Sequence, residues 1–183
     1  MMILKKSLMF TTMVFVLVVS GIAQAPPEFK AKLDAQIKLL QAVSADPQVV
    51  SAVKAHNAMP PSGDAATMTN EKWASLSLLD PFVRSVAKTP LSAFLKTKTD
   101  DIISEIFVSG ADGGKAGFAA KTTYWNHKGM PKHDVPMSGR TFIGPPKMDE
   151  STGVSEIQVG LPVMDGGKPI GSIVFGLRVD KLR

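Results

Sequence analysis

The sequence contains no cysteine, and it has only one tyrosine and two tryptophans among its 183 residues. Without cysteine, the chain forms no disulfide, offers no thiolate to a metal or substrate, and cannot carry the lipid-modified cysteine of a lipoprotein. A folded domain must therefore be stabilised by packing alone. Beyond residue 25, no apolar run approaches the ~20 residues that a transmembrane helix requires.

The first 25 residues have the three parts of a secretory signal peptide. Lys5 and Lys6 precede one apolar run, and small residues follow it up to an Ala-Gln-Ala tripeptide that ends at Ala25. We predict cleavage after this site, so that 1–25 are a signal peptide and 26–183 form one exported domain, periplasmic or secreted. The alternative is an uncleaved membrane anchor, for which the apolar run is short.

The charge balance and the histidines exclude several classes of function. The formal net charge is +5, and two of the positive charges belong to the signal peptide. Such a modest balance gives no reason to expect nucleic acid as a partner, least of all outside the cytoplasm. His127, His133 and Asp134 lack the i, i+4 spacing of a helical metal site. We therefore predict neither a metal nor a cofactor.

The first half of the exported part has helical periodicity. Phe29, Leu33, Ile37 and Leu40 recur every three or four residues, which predicts a long amphipathic N-terminal helix. Shorter helices are predicted where capping residues or proline precede further apolar repeats, namely after Asp46, after Thr69, at Asp80-Pro81 and around Leu91–Leu95.

From residue 102 onward, short β-prone runs alternate with glycine and proline. The predicted strands are IISEIFVSG, KAGFAAKT, GRTFIG, SEIQVGLPVM and KPIGSIVFGLRV. Helices followed by a meandering sheet predict an α+β domain with helices packed on one sheet face. We expect the other face to be free to curve around something small.

The tetrapeptide Asp-Gly-Gly-Lys occurs twice, beginning at Asp112 and at Asp165. A phosphate-binding loop, an internal repeat and a pair of sheet hairpins are all conceivable. The phosphate loop is excluded because the glycine–lysine spacing is wrong and a strand follows each copy. The evidence for an internal repeat is weak, since the similarity between the two copies does not extend far beyond the turns. Asp-Gly and Gly-Gly supply the positive φ angles of tight turns, so we predict two hairpins.

Several segments resemble a known family, the extracytoplasmic PAS-like sensor domains called Cache or PDC domains. The likeness is closest in EIFVSGADG, TFIGPPKMDESTG and IQVGLPVMDGGKPIGSIVFGLRV. TNEKWASLSLLDPF and SADPQVVSAVKAHN are similar to the helical lead-in, so the resemblance covers most of residues 28–183. It implies a single Cache domain in which a long N-terminal helix and further helices pack on a five-stranded antiparallel sheet. It also implies a cupped face that holds an amino acid, amine or small carboxylate.

The chain departs from the family in two respects. Where similar domains are acidic after the second strand, this sequence reads KTTYWNHKGMPKHD, with basic side chains. Most Cache domains also continue into a membrane span and an output module, whereas this sequence ends after its last predicted strand. We therefore predict an exported sensor module that is accessory to a separate membrane kinase or cyclase and that can form a homodimer.

Candidate ligand contacts follow from the resemblance. Tyr124 and Trp125 are either an aromatic wall for the ligand or part of the core. His127, Lys128 and Arg140 are basic, and Arg140 is able to hold a carboxylate in a bidentate manner or to form a surface ion pair. The remaining candidates are Phe142, in the same predicted strand as Arg140, and Asp149, which could accept an amine.

The basic segment predicts a ligand with a carboxylate or another anionic group. If His127 takes part, binding should strengthen as the pH falls through the histidine range.

The sequence carries no pattern of catalysis. Asp149, Glu150 and Ser151 are adjacent in a turn, without the nucleophile, base and anion hole that an active site needs together. We therefore predict a binding protein and not an enzyme. The alternative is a ligand-free structural or dimerisation module of the same PAS-like fold.

Overall fold

The structure, a computed structural model, describes residues 26–149 and 154–182. The predicted signal peptide lies outside the described residues, as do Glu150 and Ser151. Seven helices are described: α1 (Pro27–Ser44), α2 (Pro47–Ala58), α3 (Asn70–Ser75), α4 (Pro81–Ala87), α5 (Pro90–Lys96), α6 (Pro131–Met137) and α7 (Val179–Leu182). A 3-10 helix, Gly63–Thr67, lies between α2 and α3. No helix in the described ranges is both long and apolar enough to cross a membrane.

The helix starts follow the capping residues that the sequence predicts. The Asp46 carboxylate accepts a hydrogen bond from the backbone N–H of Gln48 at 2.8 Å, and the Thr69 hydroxyl accepts one from Lys72 at 3.1 Å. Asp80 caps α4 in the same way. Each cap satisfies a backbone donor that the first turn of a helix leaves unpaired. The predicted helix starts are therefore confirmed.

The strands are β1 (Ile103–Gly110), β2 (Lys115–Phe118), β3 (Phe142–Ile143), β4 (Lys147–Asp149), β5 (Val154–Asp165) and β6 (Lys168–Arg178). They form an antiparallel sheet in the order β2-β1-β6-β5-β3, and β4 also pairs with β5. The short strands β3 and β4 share one edge of β5 and are separated by Gly144-Pro145-Pro146. The sheet thus has six strands in five positions, because two prolines divide its edge strand into β3 and β4. The predicted α+β fold is confirmed.

One face of the sheet, the helix face, is apolar. Ile106 and Val108 of β1 pair with Phe175 and Ile173 of β6, and this layer continues into β5. Helices α1, α2 and α5 cover it with the buried side chains that the helical periodicity predicts. This layer is the main hydrophobic core.

The opposite face, the pocket face, is not free, contrary to the sequence-based expectation. Phe107, Phe118 and Val174 lie on it and pack in a second apolar cluster with Trp73 and Trp125. Helices α3, α4 and α6 cover this face together with residues 119–130, the covering segment. Helix α6 was not predicted, because Pro136 lies inside its seven residues and proline is a poor interior helix former. Pro131 is the first residue of the helix, where proline is tolerated.

Both copies of Asp-Gly-Gly-Lys form hairpin turns, as predicted. Gly113 has φ +82° between β1 and β2, and Gly166 and Gly167 have φ +55° and +80° between β5 and β6. Their surroundings differ. A Cβ on Gly113 would lie 2.5 Å from Asn126 Oδ1, whereas a Cβ on Gly166 would meet no atom within 4 Å. The first turn is packed under the covering segment, and the second is exposed.

Candidate functional site

A pocket of about 460 Å³ opens at one end of the pocket face. Its walls come from the start of β1, the covering segment, the broken edge strand and β5. Among the lining residues are Ser104, Glu105, Lys121, Thr122, Phe142, Lys147, Glu156 and Gln158. The volume suits a small metabolite at the lower end of the usual range for ligand sites.

A chain of hydrogen bonds forms the inner wall of the pocket. Lys132 donates from Nζ to Gln158 Oε1 at 3.2 Å, and Gln158 donates from Nε2 to Glu105 Oε2 at 3.0 Å. Burial raises the pKa of Glu105, and the positive charge of Lys132 opposes that shift. The wall therefore presents the Glu105 carboxylate to the pocket, and Gln158 holds the Lys132 amine at a fixed position next to it.

Behind this wall lie three buried polar side chains. Ser109 and His127 are 0% exposed, and Lys115 is 2% exposed. Within the described ranges, the Ser109 hydroxyl, the Lys115 ammonium and both ring nitrogens of His127 have no hydrogen-bond partner. Ser109 and Lys115 are opposite each other in the β1–β2 ladder. Such a group of unpaired atoms is unusual in a protein interior.

The ring of Phe107 joins the members of this group. The His127 ring stacks on it, with 4.4 Å between the ring centroids and 20° between the planes. Lys115 Nζ lies 4.2 Å from the same centroid, and Lys132 Nζ lies 5.5 Å from it. The aromatic ring thus contacts two lysine amines in a nearly dry environment, where a cation–π contact favours the protonated form of an amine most strongly.

Burial changes the ionisation of these groups. It lowers the pKa of Lys115 well below its ordinary value; Glu105 opposes the shift, and Lys132 and Lys121 add to it. Burial and the nearby lysines lower the pKa of His127 to about 2. The expectation that His127 gains a proton as the pH falls through the histidine range is therefore wrong for the ligand-free protein, because the ring is completely enclosed.

His133 is also buried, but its ring has a hydrogen-bond partner. Its Nδ1 lies 2.7 Å from the Ser172 hydroxyl, and burial lowers the pKa of the ring. Ser172 pairs with Ser109 across the β1–β6 ladder. The contrast shows that the fold is able to satisfy a buried histidine only a short distance from the unpaired group.

Of the two predicted aromatic contacts, Trp125 lies in the core. Its ring is 5.2 Å from those of Trp73 and Phe82, and it does not line the pocket. Tyr124 is 42% exposed, and its ring meets the edge of His127 at 6.2 Å. Of the two alternatives for Trp125, the structure shows packing in the second apolar cluster.

The other predicted contacts are dispersed. Phe142 lines the pocket. Lys128 and Arg140 are exposed and do not line it, and Arg140 Nε donates to the Ser138 hydroxyl at 3.0 Å. The backbone of Asp149 pairs with Val154, and its side chain lies outside what the structure describes. Ligand contacts by these residues stay predictions.

Several polar residues of the pocket face were not predicted from the sequence, in particular Glu105, Ser109, Lys115 and Gln158. A signal was present in the run Ser-Glu-Ile-Phe-Val-Ser. Glu105 and Ser109 alternate with Ile106 and Val108, so a strand there places these two polar side chains on the face opposite the apolar pair. No comparable signal marks Lys115, because the lysine of the second, exposed turn has the same local sequence.

The described ranges contain no group of three or more histidine, aspartate or glutamate side chains that could hold a metal ion. The donors gathered on the pocket face are mainly amines, an imidazole and a hydroxyl. Lysine ammonium groups repel cations, so this face is better suited to an anion or to a neutral hydrogen-bonding group.

Comparison with known proteins gives similarity at the level of the fold. No protein-family model and no curated protein sequence matches the chain. Among solved structures, the sensor domain of the V. cholerae histidine kinase DctB matches with a TM-score of 0.52 at 11% identity, over 84% of this chain and 53% of that chain.

The ligand-binding domain of the Pseudomonas aeruginosa PAO1 amino acid chemoreceptor PctC, in complex with GABA, matches with a TM-score of 0.46 at 14% identity. That match covers 83% of this chain and 56% of the other. The chain thus spans about half the length of these solved structures. The structures that it resembles are Cache or PDC-type sensor domains of histidine kinases and chemoreceptors, and the fold that the sequence resemblance predicts is confirmed.

Proposed function

We propose that the chain is a small-molecule-binding sensor module of Cache type. The observation that carries this proposal is a pocket of about 460 Å³ on the pocket face, lined by charged side chains and backed by unpaired buried polar groups. A hydrophobic core needs neither feature, whereas recognition of a polar ligand uses a pocket with a few placed polar groups. The fold shared with a histidine kinase sensor domain agrees with this role.

The charges around the pocket favour a small ligand that carries an anionic group. Lys121 and Lys147 line the pocket beside Glu105 and Glu156, and Lys132 belongs to the inner wall through its bond to Gln158. An amino acid would pair its ammonium with a glutamate and its carboxylate with a lysine, while a simple carboxylate would use the lysines alone. A polyamine would meet repulsion from three amines.

The proposed module is exported and has no catalytic activity. Cleavage after residue 25 would leave one domain, 26–183, in the periplasm or outside the cell. Intact-mass measurement of protein recovered from the periplasm tests this, because the cleaved form begins at Pro26. A membrane-bound species that retains Lys5 and Lys6 would show that the segment is an anchor instead.

The signal would pass to a separate membrane protein, either a kinase or a cyclase. A ligand that binds one conformation of the covering segment more tightly than another shifts the population of that conformation. A partner or a second copy of the chain that contacts this segment would then respond to the ligand. The exposed face of Tyr124 offers such a contact.

A thermal-shift screen of the exported protein against amino acids, amines and carboxylates tests the proposal. A ligand that binds only the folded state raises the melting temperature by mass action, and the shift grows with ligand concentration. A concentration-dependent shift from one chemical class would support a sensor. No shift with any class would favour the alternative, a ligand-free structural or dimerisation module.

A further inference from the structure

The unpaired polar atoms of Ser109, Lys115 and His127 lie in one small part of the interior. Ser109 and Lys115 are partners across the β1–β2 ladder, and both Lys115 and His127 contact the Phe107 ring. Each side chain is at least 98% buried. A buried polar group without a partner destabilises the folded protein. Three such groups together indicate that a binding partner completes them.

Within the described ranges, one other buried side-chain atom has no hydrogen bond, Nε of Arg178, and it forms an ion pair with Asp180 Oδ1 at 3.7 Å. On the same sheet face, Ser172 is bonded to His133, and Glu105 and Lys132 are bonded through Gln158. The fold therefore satisfies its other buried polar side chains nearby. A general deficiency of the packing does not explain the three unpaired groups.

The charged groups around Lys115 define the chemistry of what could bind. The charge of Lys115 interacts with Glu105 of β1, with Lys132 of α6 and with Lys121 of the covering segment. The neighbouring His127 interacts with Lys115, Lys132 and His133. One carboxylate is thus set against several amines. The three unpaired side chains can all donate a hydrogen bond to one acceptor. A cation would be repelled, and a carboxylate would satisfy all three.

We propose that Ser109, Lys115 and His127 form an internal site that binds the carboxylate of the ligand behind the Glu105–Gln158–Lys132 wall. This inference rests on the proposed sensor function and assigns the anionic end of its ligand. A carboxylate beside Lys115 offsets the cost of burying the ammonium. The lysine then takes up a proton from solvent as the ligand binds, and the ligand carboxylate remains ionised.

The two copies of Asp-Gly-Gly-Lys supply a matched pair of variants. Lys115→Met removes the buried amine and keeps the length of the side chain, while Lys168→Met makes the same change at the exposed turn. We would titrate the exported protein with acetate, succinate and glycine at constant ionic strength, and use methylammonium chloride as the cationic control. Calorimetry in phosphate and in Tris reports proton uptake, because the two buffers have different ionisation enthalpies.

The wild type and Lys168→Met should bind at least one of the carboxylates with proton uptake. Lys115→Met should lose about tenfold or more in affinity, since a hydrogen bond to a charged group is lost, and should show no proton uptake. Ser109→Ala is a second, milder variant and should weaken the same ligand with less effect on folding.

Three results would overturn the inference. Unchanged carboxylate affinity in both Lys115→Met and Ser109→Ala would leave the sensor function standing but place the anion elsewhere. Binding of methylammonium in preference to all carboxylates would leave a binding function standing but show that the buried group does not bind a carboxylate. If neither these probes nor any member of the thermal-shift library binds, while Lys115→Met is more stable than the wild type, the unpaired groups hold only water and both proposals fail.

Discussion

The side-chain oxygen of Asn70 accepts a hydrogen bond from the backbone N–H of Trp125 at 2.9 Å. The same oxygen accepts one from Asn126 at 2.8 Å, and the Asn70 amide nitrogen donates to the Asn126 carbonyl at 3.2 Å. One side chain at the start of α3 therefore holds the covering segment, although 55 residues separate it from Trp125 in the sequence.

Asn70→Ala should destabilise the protein by roughly 2–3 kcal/mol, because three hydrogen bonds are lost and two backbone donors are left unpaired. Asn70→Asp keeps the side-chain oxygen that accepts both backbone hydrogen bonds and should destabilise the protein less. Urea unfolding measures both, and amide hydrogen exchange at Trp125 and Asn126 should accelerate more in the alanine variant. Equal stability of the two variants would mean that the double acceptor does not hold the segment.

The two Asp-Gly-Gly-Lys turns allow the cost of a close packing contact to be separated from the cost of backbone strain. Gly166→Ala introduces only a side chain at positive φ, which costs about 1–2 kcal/mol. Gly113→Ala carries the same kind of strain and also places a Cβ 2.5 Å from the Lys128 backbone nitrogen. Its loss of stability in urea should therefore be clearly larger. A smaller loss at Gly113 than at Gly166 would contradict the packing of the first turn.

Stability should fall in acid because of His127. Its pKa is about 2 in the folded protein, against an ordinary value of 6.5. Below pH 6.5 the unfolded chain binds a proton there that the folded protein does not, so stability decreases by at most about 1.4 kcal/mol per pH unit. His127→Phe keeps a ring against Phe107 and should have a shallower decrease between roughly pH 6 and 4. If the stability of the wild type and of His127→Phe falls equally with pH, the His127 ring is hydrated in the folded protein.

Glu105 should act in the opposite sense. Its pKa is raised in the folded protein, so the native state binds this proton more tightly than the unfolded chain does. Its contribution to stability is present below pH 4.5 and is lost as the pH rises through the folded pKa. Glu105→Gln retains an acceptor for Gln158 and should be at least as stable as the wild type at neutral pH. Any gain in stability of Glu105→Gln over the wild type should disappear in acid. A gain that persists below pH 4 would reflect packing instead.

The sequence by itself determined most of the secondary structure and the helices that cover the first sheet face, because those depend on local chemistry. Asp46, Thr69 and Asp80 cap the helices that follow them, and glycine at positive φ produces both hairpins. The apolar repeat of α1 identifies its buried side. Helix α6 was missed because the interior Pro136 outweighs the helical signal of so short a segment, and packing on β5 and β6 stabilises it.

Only the tertiary structure decided which polar residues are inside. Lys115 and Lys168 follow identical Asp-Gly-Gly triplets, yet the first is 2% exposed and the second is on the surface. The burial of a lysine depends on what covers its turn, and the covering segment is positioned by Asn70 and Trp73, residues distant in the sequence. For the same reason Trp125, predicted as either core or ligand wall, lies in the core. Local sequence determines where a chain turns, and long-range packing determines which side chains lose contact with water.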